Sequence, residues 1–155
     1  MNTIHEIMTF SIPYEMREMT QEEYQTFFKT SNNEEYYGLY NENKHTMMAI
    51  TYKKRPFLLG KDASNDEILK ATEKKIKNQI PTLETYESAQ KTVDHVSYPS
   101  FSFRYTVQGI NQFGEYVLCR FSKYDISLNY ICREEFADYG KQKFNEFLLS
   151  IQFKK

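Results

Sequence analysis

The chain has 155 residues and a formal net charge of −1, which is long enough to bury one sizeable core and lacks the basic excess that draws a protein to nucleic acid or anionic lipid. With 13 Tyr, 12 Phe, only 5 Gly and 2 Cys, the composition excludes disorder, low-complexity function and a disulfide framework. One domain over 1–155 is expected.

Charge is uneven along the chain. Residues 1–43 carry eight acids against Arg17 and Lys29, a local net of −6, whereas residues 53–78 carry eight bases against four acids, a local net of +4. Solvated faces that offset each other in the fold account for this asymmetry. The start, "MNTIHEIMTF", has neither a basic opening nor a long apolar run, so no signal peptide is expected. No stretch approaches the ~18 apolar residues of a membrane span. A cytoplasmic location and no membrane partner are therefore expected.

In chain order, "IMTFSI" (7–12) reads as a short strand stopped by Pro13. A capping box, Thr20 with Glu23, opens a short helix over 20–29. Residues 35–54 hold two strand-like runs around Asn41, Glu42, Asn43 and Lys44, a turn-forming cluster that predicts a hairpin. The clearest helix spans 64–81, with Ser64 and Glu67 as a second capping box and Pro81 as the stop. Its apolar residues Ile68, Leu69, Thr72, Ile76 and Ile80 share one face, and lysines fill the other. Strands are then expected at 83–95, 98–109, 114–122 and 126–132.

"SFSFRYTVQG" (100–109) places Phe101, Phe103, Tyr105 and Val107 on one side of a strand. A four-residue turn over Ser122–Asp125 would set Phe121 against Ile126, Cys119 against Leu128 and Val117 against Tyr130. A turn after Gly109 would bring Val107, Tyr105 and Phe103 beside Val117, Cys119 and Phe121. The C-terminal run provides a cover, with Phe136, Ala137, Gly140, Phe144, Phe147, Leu148 and Ile151 at helical spacing and Glu134 and Glu135 at its start. The aromatic row is thus expected to be core beneath this last helix.

This order of elements, closing on a helix that runs into Ser150-Ile151-Gln152-Phe153, resembles the PsbP/DcrB-like family. The resemblance implies an α+β fold, an α/β/α sandwich with a central, mainly antiparallel sheet. Its members include photosystem accessory subunits, exported envelope proteins, a Ran-binding factor and chaperones for secreted toxins. Most are not enzymes, and the family supplies no catalytic motif to carry over.

Catalytic constellations are thin. His5, His45 and His95 stand far apart, without the spacing that puts two metal ligands on one helix face; no metal and no cofactor are expected. "GINQFG" (109–114) has phosphate-loop glycine spacing but lacks the Lys-Ser/Thr pair and reads as a turn. Cys119 and Cys132 sit in apolar rows and are expected to be inert. The adjacent acids Glu22-Glu23, Glu34-Glu35 and Glu134-Glu135 point apart and form no acid/base dyad. A nucleic-acid role would need the lysines of the middle helix and "KKR" (53–55) in one stripe, and the aromatic row lacks the signature of an RNA-binding sheet.

A protein-binding surface is the remaining expectation. Tyr36, Tyr37, Tyr40, His45 and Met47 lie in a hairpin too rich in large side chains to bury them all, and Tyr and Met favour interfaces. The sequence therefore points to a non-catalytic protein-binding module of a bacterial cytoplasm, a chaperone or immunity partner of a secreted protein. The alternative is an enzyme or small-ligand binder with a pocket near His45 and Arg104.

Overall fold

The computed structural model describes residues 2–4, 7–28, 35–54, 65–86 and 88–154. Its centre is an antiparallel meander whose strands are fixed by three successive two-residue turns. β7 (Ala89–Val93), β8 (Val96–Val107), β9 (Ile110–Phe121) and β10 (Tyr124–Arg133) are joined through Asp94-His95, Gln108-Gly109 and Ser122-Lys123. Asp94, His95, Gln108, Gly109 and Ser122 all have positive φ. Such turns match the twist of the flanking strands and so pin the register.

The sheet is completed by the predicted hairpin, β4 (Glu35–Asn41) and β5 (Thr46–Lys54), and by the short strands β3 (Arg17–Glu18) and β6 (Glu84–Thr85). The order is β3-β4-β5-β10-β9-β8-β6, with β7 also on β8. A second, three-stranded sheet pairs β1 (Asn2–Ile4) with β2 (Met8–Phe10) and β2 with β11 (Gln152–Phe153). The expected final helix thus ends earlier: α3 spans Ala137–Ser150 after a 3-10 turn at Glu134–Phe136, and the chain then becomes strand. The expected strand 83–95 is two strands, interrupted between Thr85 and Ala89.

Helix α1 (Gln21–Phe27) carries the predicted capping box, with Thr20 Oγ1 accepting from the Glu23 amide and Glu23 accepting from the Thr20 amide. Helix α2 (Asn65–Gln79) turns the predicted face inward: Leu69 is buried, and Ile68, Ile76 and Ile80 pack with it. The Ser64 cap lies outside the described residues, as do His5 and Arg55.

Two register expectations are corrected. The last hairpin is tighter than expected, so Phe121 pairs with Tyr124, Cys119 with Ile126, Val117 with Leu128 and Glu115 with Tyr130. A shift of two keeps every side chain on its predicted face. Val117, Cys119, Ile126, Leu128 and Tyr130 are all fully buried. The hairpin before it is different, because "GINQFG" is not a turn beyond Gly109: Ile110 to Gly114 are strand, and Phe103 faces Gly114 while Tyr105 faces Gln112. This places Phe101, Phe103 and Tyr105 on the sheet face opposite Val117 and Cys119. The row is core, but its cover is α2 and not the C-terminal helix.

The sheet is therefore apolar on both faces. On one face α3 and the small sheet enclose a core that includes Phe10, Met48, Leu128, Tyr130, Phe144 and Phe147. Gly140 lets α3 approach closely, since a Cβ there would stand 2.9 Å from both Cys132 Sγ and the Tyr130 ring. Tyr130 keeps its hydroxyl satisfied within this core by donating to Glu115 at 2.6 Å, and Lys91 pairs with Glu115 at 3.0 Å. On the other face the cover is divided. Helix α1 sits over Met19, Met47 and Ala49, and α2 over Leu83, Phe101, Phe103 and Leu118.

Candidate functional site

The division leaves β10 exposed between two helices. Ile131 of β10 packs against both the α1 cluster and the α2 cluster and forms the floor between them. Here two cross-strand rows come to the surface side by side. One runs Tyr40, Met47, Ile131 through the pairing of β4, β5 and β10; the next runs Arg133, Gln112, Tyr105 through β10, β9 and β8. Together with Thr26, Phe27, His45 and Val107 they line a groove of about 390 Å³. That volume is in the range that takes a small molecule or a few side chains of a peptide.

The wall on the α1 side is built by aromatic contacts. The Tyr40 ring lies 5.2 Å from Phe27, and the Arg17 guanidinium stands 5.8 Å above it. Arg17 is itself held by Glu23 at 2.7 and 3.0 Å. Burial raises the Tyr40 hydroxyl above its ordinary pKa, with Glu23 and Glu42 adding to the shift, so it stays a neutral donor at physiological pH. The rim beside His45 is a strained turn: His45 has φ 44°, and its carbonyl accepts from the Arg133 amide at 3.4 Å.

Among the side chains that line the groove Arg133 is the one permanent charge, while Glu23 and Glu42 stand near enough to act on Tyr40. Of the four described arginines, Arg17 pairs with Glu23, Arg104 with Glu134 and Arg120 with Asp125. Arg133 has no carboxylate within ion-pair distance among the described residues. The side chains of Tyr40, His45 and Gln112 likewise make no hydrogen bond among the described residues. An apolar floor with several unengaged polar groups around it is the composition of a binding pocket.

The residues singled out from sequence do not all meet here. Tyr40, His45 and Met47 line the groove. Tyr36 shares their sheet face but stacks on Phe28 with ring centroids 4.5 Å apart, under α1. Tyr37 points to the opposite face, where its ring meets Phe10 edge-on at 5.1 Å and its hydroxyl donates to Glu18 at 3.2 Å. Burial, reinforced by Glu18, pushes that hydroxyl to about 12. Arg104 is also on the α3 face, ion-paired with Glu134 at 3.3 Å, so it does not share a pocket with His45. Arg133 stands where Arg104 was expected. Both thiols are buried, and burial pushes that of Cys132 to about 12 and that of Cys119 higher, which suits neither for nucleophilic work at neutral pH.

A second cavity of about 400 Å³ lies under the Asp94-His95 turn. Part of its lining is engaged: Asp94 accepts from the Phe153 amide at 2.9 Å, and Phe153 stacks on Phe121 at 4.9 Å. Among the described residues no cluster of His, Cys, Asp and Glu could hold a metal ion, and no helix is long and apolar enough to cross a membrane.

No family model and no curated protein matches the sequence. Solved structures do match. LpqN of Mycobacterium tuberculosis, a protein involved in cell envelope biogenesis, superposes with a TM-score of 0.68 at 12% identity over 96% of this chain and 83% of its own. PsbP of the cyanobacterium Synechocystis gives 0.55 at 9% identity over 96% and 93%. A protein of Bacteroides thetaiotaomicron gives 0.62 at 10% identity over 96% of this chain and 45% of its own. The chain has a PsbP/DcrB-like α+β fold, as the order of elements implied, and at these identities the likeness concerns the fold alone.

Proposed function

We propose that the chain is a non-catalytic protein-binding module whose partner seats an apolar side chain in the groove between α1 and α2. The observation that carries this reading is that three of the seven exposed large apolar side chains among the described residues stand around one groove. Phe27, Val107 and Ile110 are 41%, 47% and 37% exposed, and all three stand around the groove, Ile110 as the cross-strand partner of Val107. Exposed apolar side chains clustered around a concave floor mark an interaction site, whereas scattered ones do not. Seating one large side chain on Ile131 and Met47 stabilises a complex by about 1.5–3 kcal/mol.

Two features favour binding over catalysis. The buried thiols have raised pKa values, and Arg104, paired with Glu134, does not line the groove that His45 lines. In its sharper form the reading is a cytoplasmic bacterial partner, chaperone or immunity factor, of a secreted protein. Two unpaired cysteines fit a reducing compartment.

A photo-crosslinking amino acid placed at Val107, and separately at Leu149, tests the site in cells. Leu149 is 85% exposed on the outer side of α3 and serves as the control. A discrete protein adduct at Val107 and none at Leu149 is expected. Equal adducts at both, or none at either, would overturn the groove as the interface.

A further inference from the structure

We infer that the partner segment is acidic as well as apolar, and that its carboxylate is received by Arg133. This rests on the binding reading above and adds the chemistry of the occupant.

Leaving a guanidinium without a counter-charge beside apolar side chains costs free energy. Arg133 is half-buried at the end of β10, next to Ile131 along the strand and opposite Gln112 across it. Every other described arginine has a carboxylate at 3.3 Å or less. The acids that follow Arg133 in sequence do not supply the counter-charge: Glu134 pairs with Arg104, and Glu135, exposed on the 3-10 turn, makes no ion pair with it. A partly desolvated arginine fork is geometrically matched to a carboxylate and gains more from one than from water.

The other polar groups fit the same occupant. Gln112 offers an amide, Tyr40 a neutral hydroxyl and His45 an imidazole whose ring rests 5.9 Å from that of Phe136; none makes a side-chain hydrogen bond among the described residues, and all line the groove with Arg133. They can donate to a carboxylate or to the backbone carbonyls flanking it. The floor of Ile131 and Met47 lies one cross-strand row away. Adjacent rows on a sheet are about 7 Å apart along the strand, which is the separation between side chains two positions apart on one face of an extended peptide. The occupant is therefore an extended segment with a large apolar residue two positions from a glutamate or aspartate.

The test uses two short, blocked peptides, one with phenylalanine two positions from a glutamate and the other with glutamine in place of the glutamate. Binding is followed on the intact chain by methyl NMR shifts of Met47 and Ile131. The glutamate peptide is expected to bind about tenfold tighter than the glutamine peptide, the scale of one charge-assisted hydrogen-bonded pair. In Arg133→Gln that preference should vanish while the weaker, shared binding stays. Arg133→Lys, which keeps the charge and loses the fork, should retain part of it, and its unchanged amide spectrum would show that the fold is intact. Equal affinity of both peptides for the unmodified chain, with the same methyl shifts, would overturn the carboxylate inference and leave the apolar groove standing. No methyl shift with either peptide would overturn the inference and the groove together.

Discussion

The two faces of the central sheet use the same kind of side chain in different ways. Against α3, Phe144 and Phe147 are fully buried and continuous with Phe10, Met48 and Tyr130 in a single core closed by the three-stranded sheet. Against α1 and α2 the core is split into two small clusters, and a strand that is fully apolar on its other side shows the half-buried Ile131 between them. One face spends its apolar surface on holding the fold together. The other leaves part of its apolar surface, around Ile131, without cover among the described residues.

The largest expected difference follows from deleting a ring on the closed face. Phe147→Ala removes a fully buried side chain that meets Phe10 edge-on at 5.6 Å, and a loss of about 3–5 kcal/mol is expected in denaturant unfolding. Next comes Gly140→Ala. The added methyl must push against Cys132 and Tyr130, at a cost of about 1–3 kcal/mol, which exceeds the ~1 kcal/mol an alanine gains inside a helix. A variant more stable than the parent would show that α3 can lift away and that this face is less tightly closed than described.

The groove face should answer more mildly. Ile131→Ala removes a half-buried side chain whose outer side has no cover among the described residues. It should cost less stability than Leu128→Ala, the fully buried residue three positions earlier on the same strand, for which about 2–5 kcal/mol is expected. Equal losses, measured side by side, would break the contrast between the faces.

The smallest effect is one of pH. The Arg17 guanidinium, hydrogen-bonded to Glu23, together with the Thr20 cap, holds the Glu23 carboxyl at about 2 against an ordinary value of 4.5. A depressed folded-state value means that the stabilisation is complete above about 4.5 and is lost as pH falls towards 2. Because the pair is exposed, the effect should be confined to α1. Amide signals of Tyr24 and Thr26 should shift over that acid window, and those of Phe144 should not.

Which residues of one strand share a side was legible from period two, whereas the side that β8 and β9 have in common and the choice of cover were not. Alternation shows that Phe101, Phe103 and Tyr105 share a side, and it survived a two-residue slip in the last hairpin. It carries no information on which helix lies above, since α2 and α3 both present apolar faces of suitable width. The mistaken partner came from reading "GINQFG" as a loop, although Gly114 is a strand residue whose missing side chain is filled by the Phe103 ring. The PsbP/DcrB-like fold was legible because it depends on element order, which periodicity and turn residues report.

The site was legible in part. Tyr40 and Met47 stood out as large side chains in one hairpin, and the strand period alone separates Tyr37 from them. Arg133 gave no signal, because a lone arginine at the end of a strand acquires meaning only when its surroundings are known to lack a partner. Its immediate sequence neighbours, Glu134 and Glu135, point to the opposite conclusion, and only the 3-10 turn that carries them away from the groove reverses it.

The junction of the small sheet has a consequence for the order of events during synthesis. Met8 and Thr9 pair with Phe153 and Gln152, and the Lys154 amide donates to the Ile7 carbonyl at 2.8 Å. The meander from β7 to β10 can zip locally through its tight turns while the rest of the chain is still being made. The sheet that seals the larger core must wait for residues about 140 positions downstream of its first strands. Until then the α3 face is open on a ribosome-bound chain and exposed to chaperones, whereas β8, β9 and α2 already have each other.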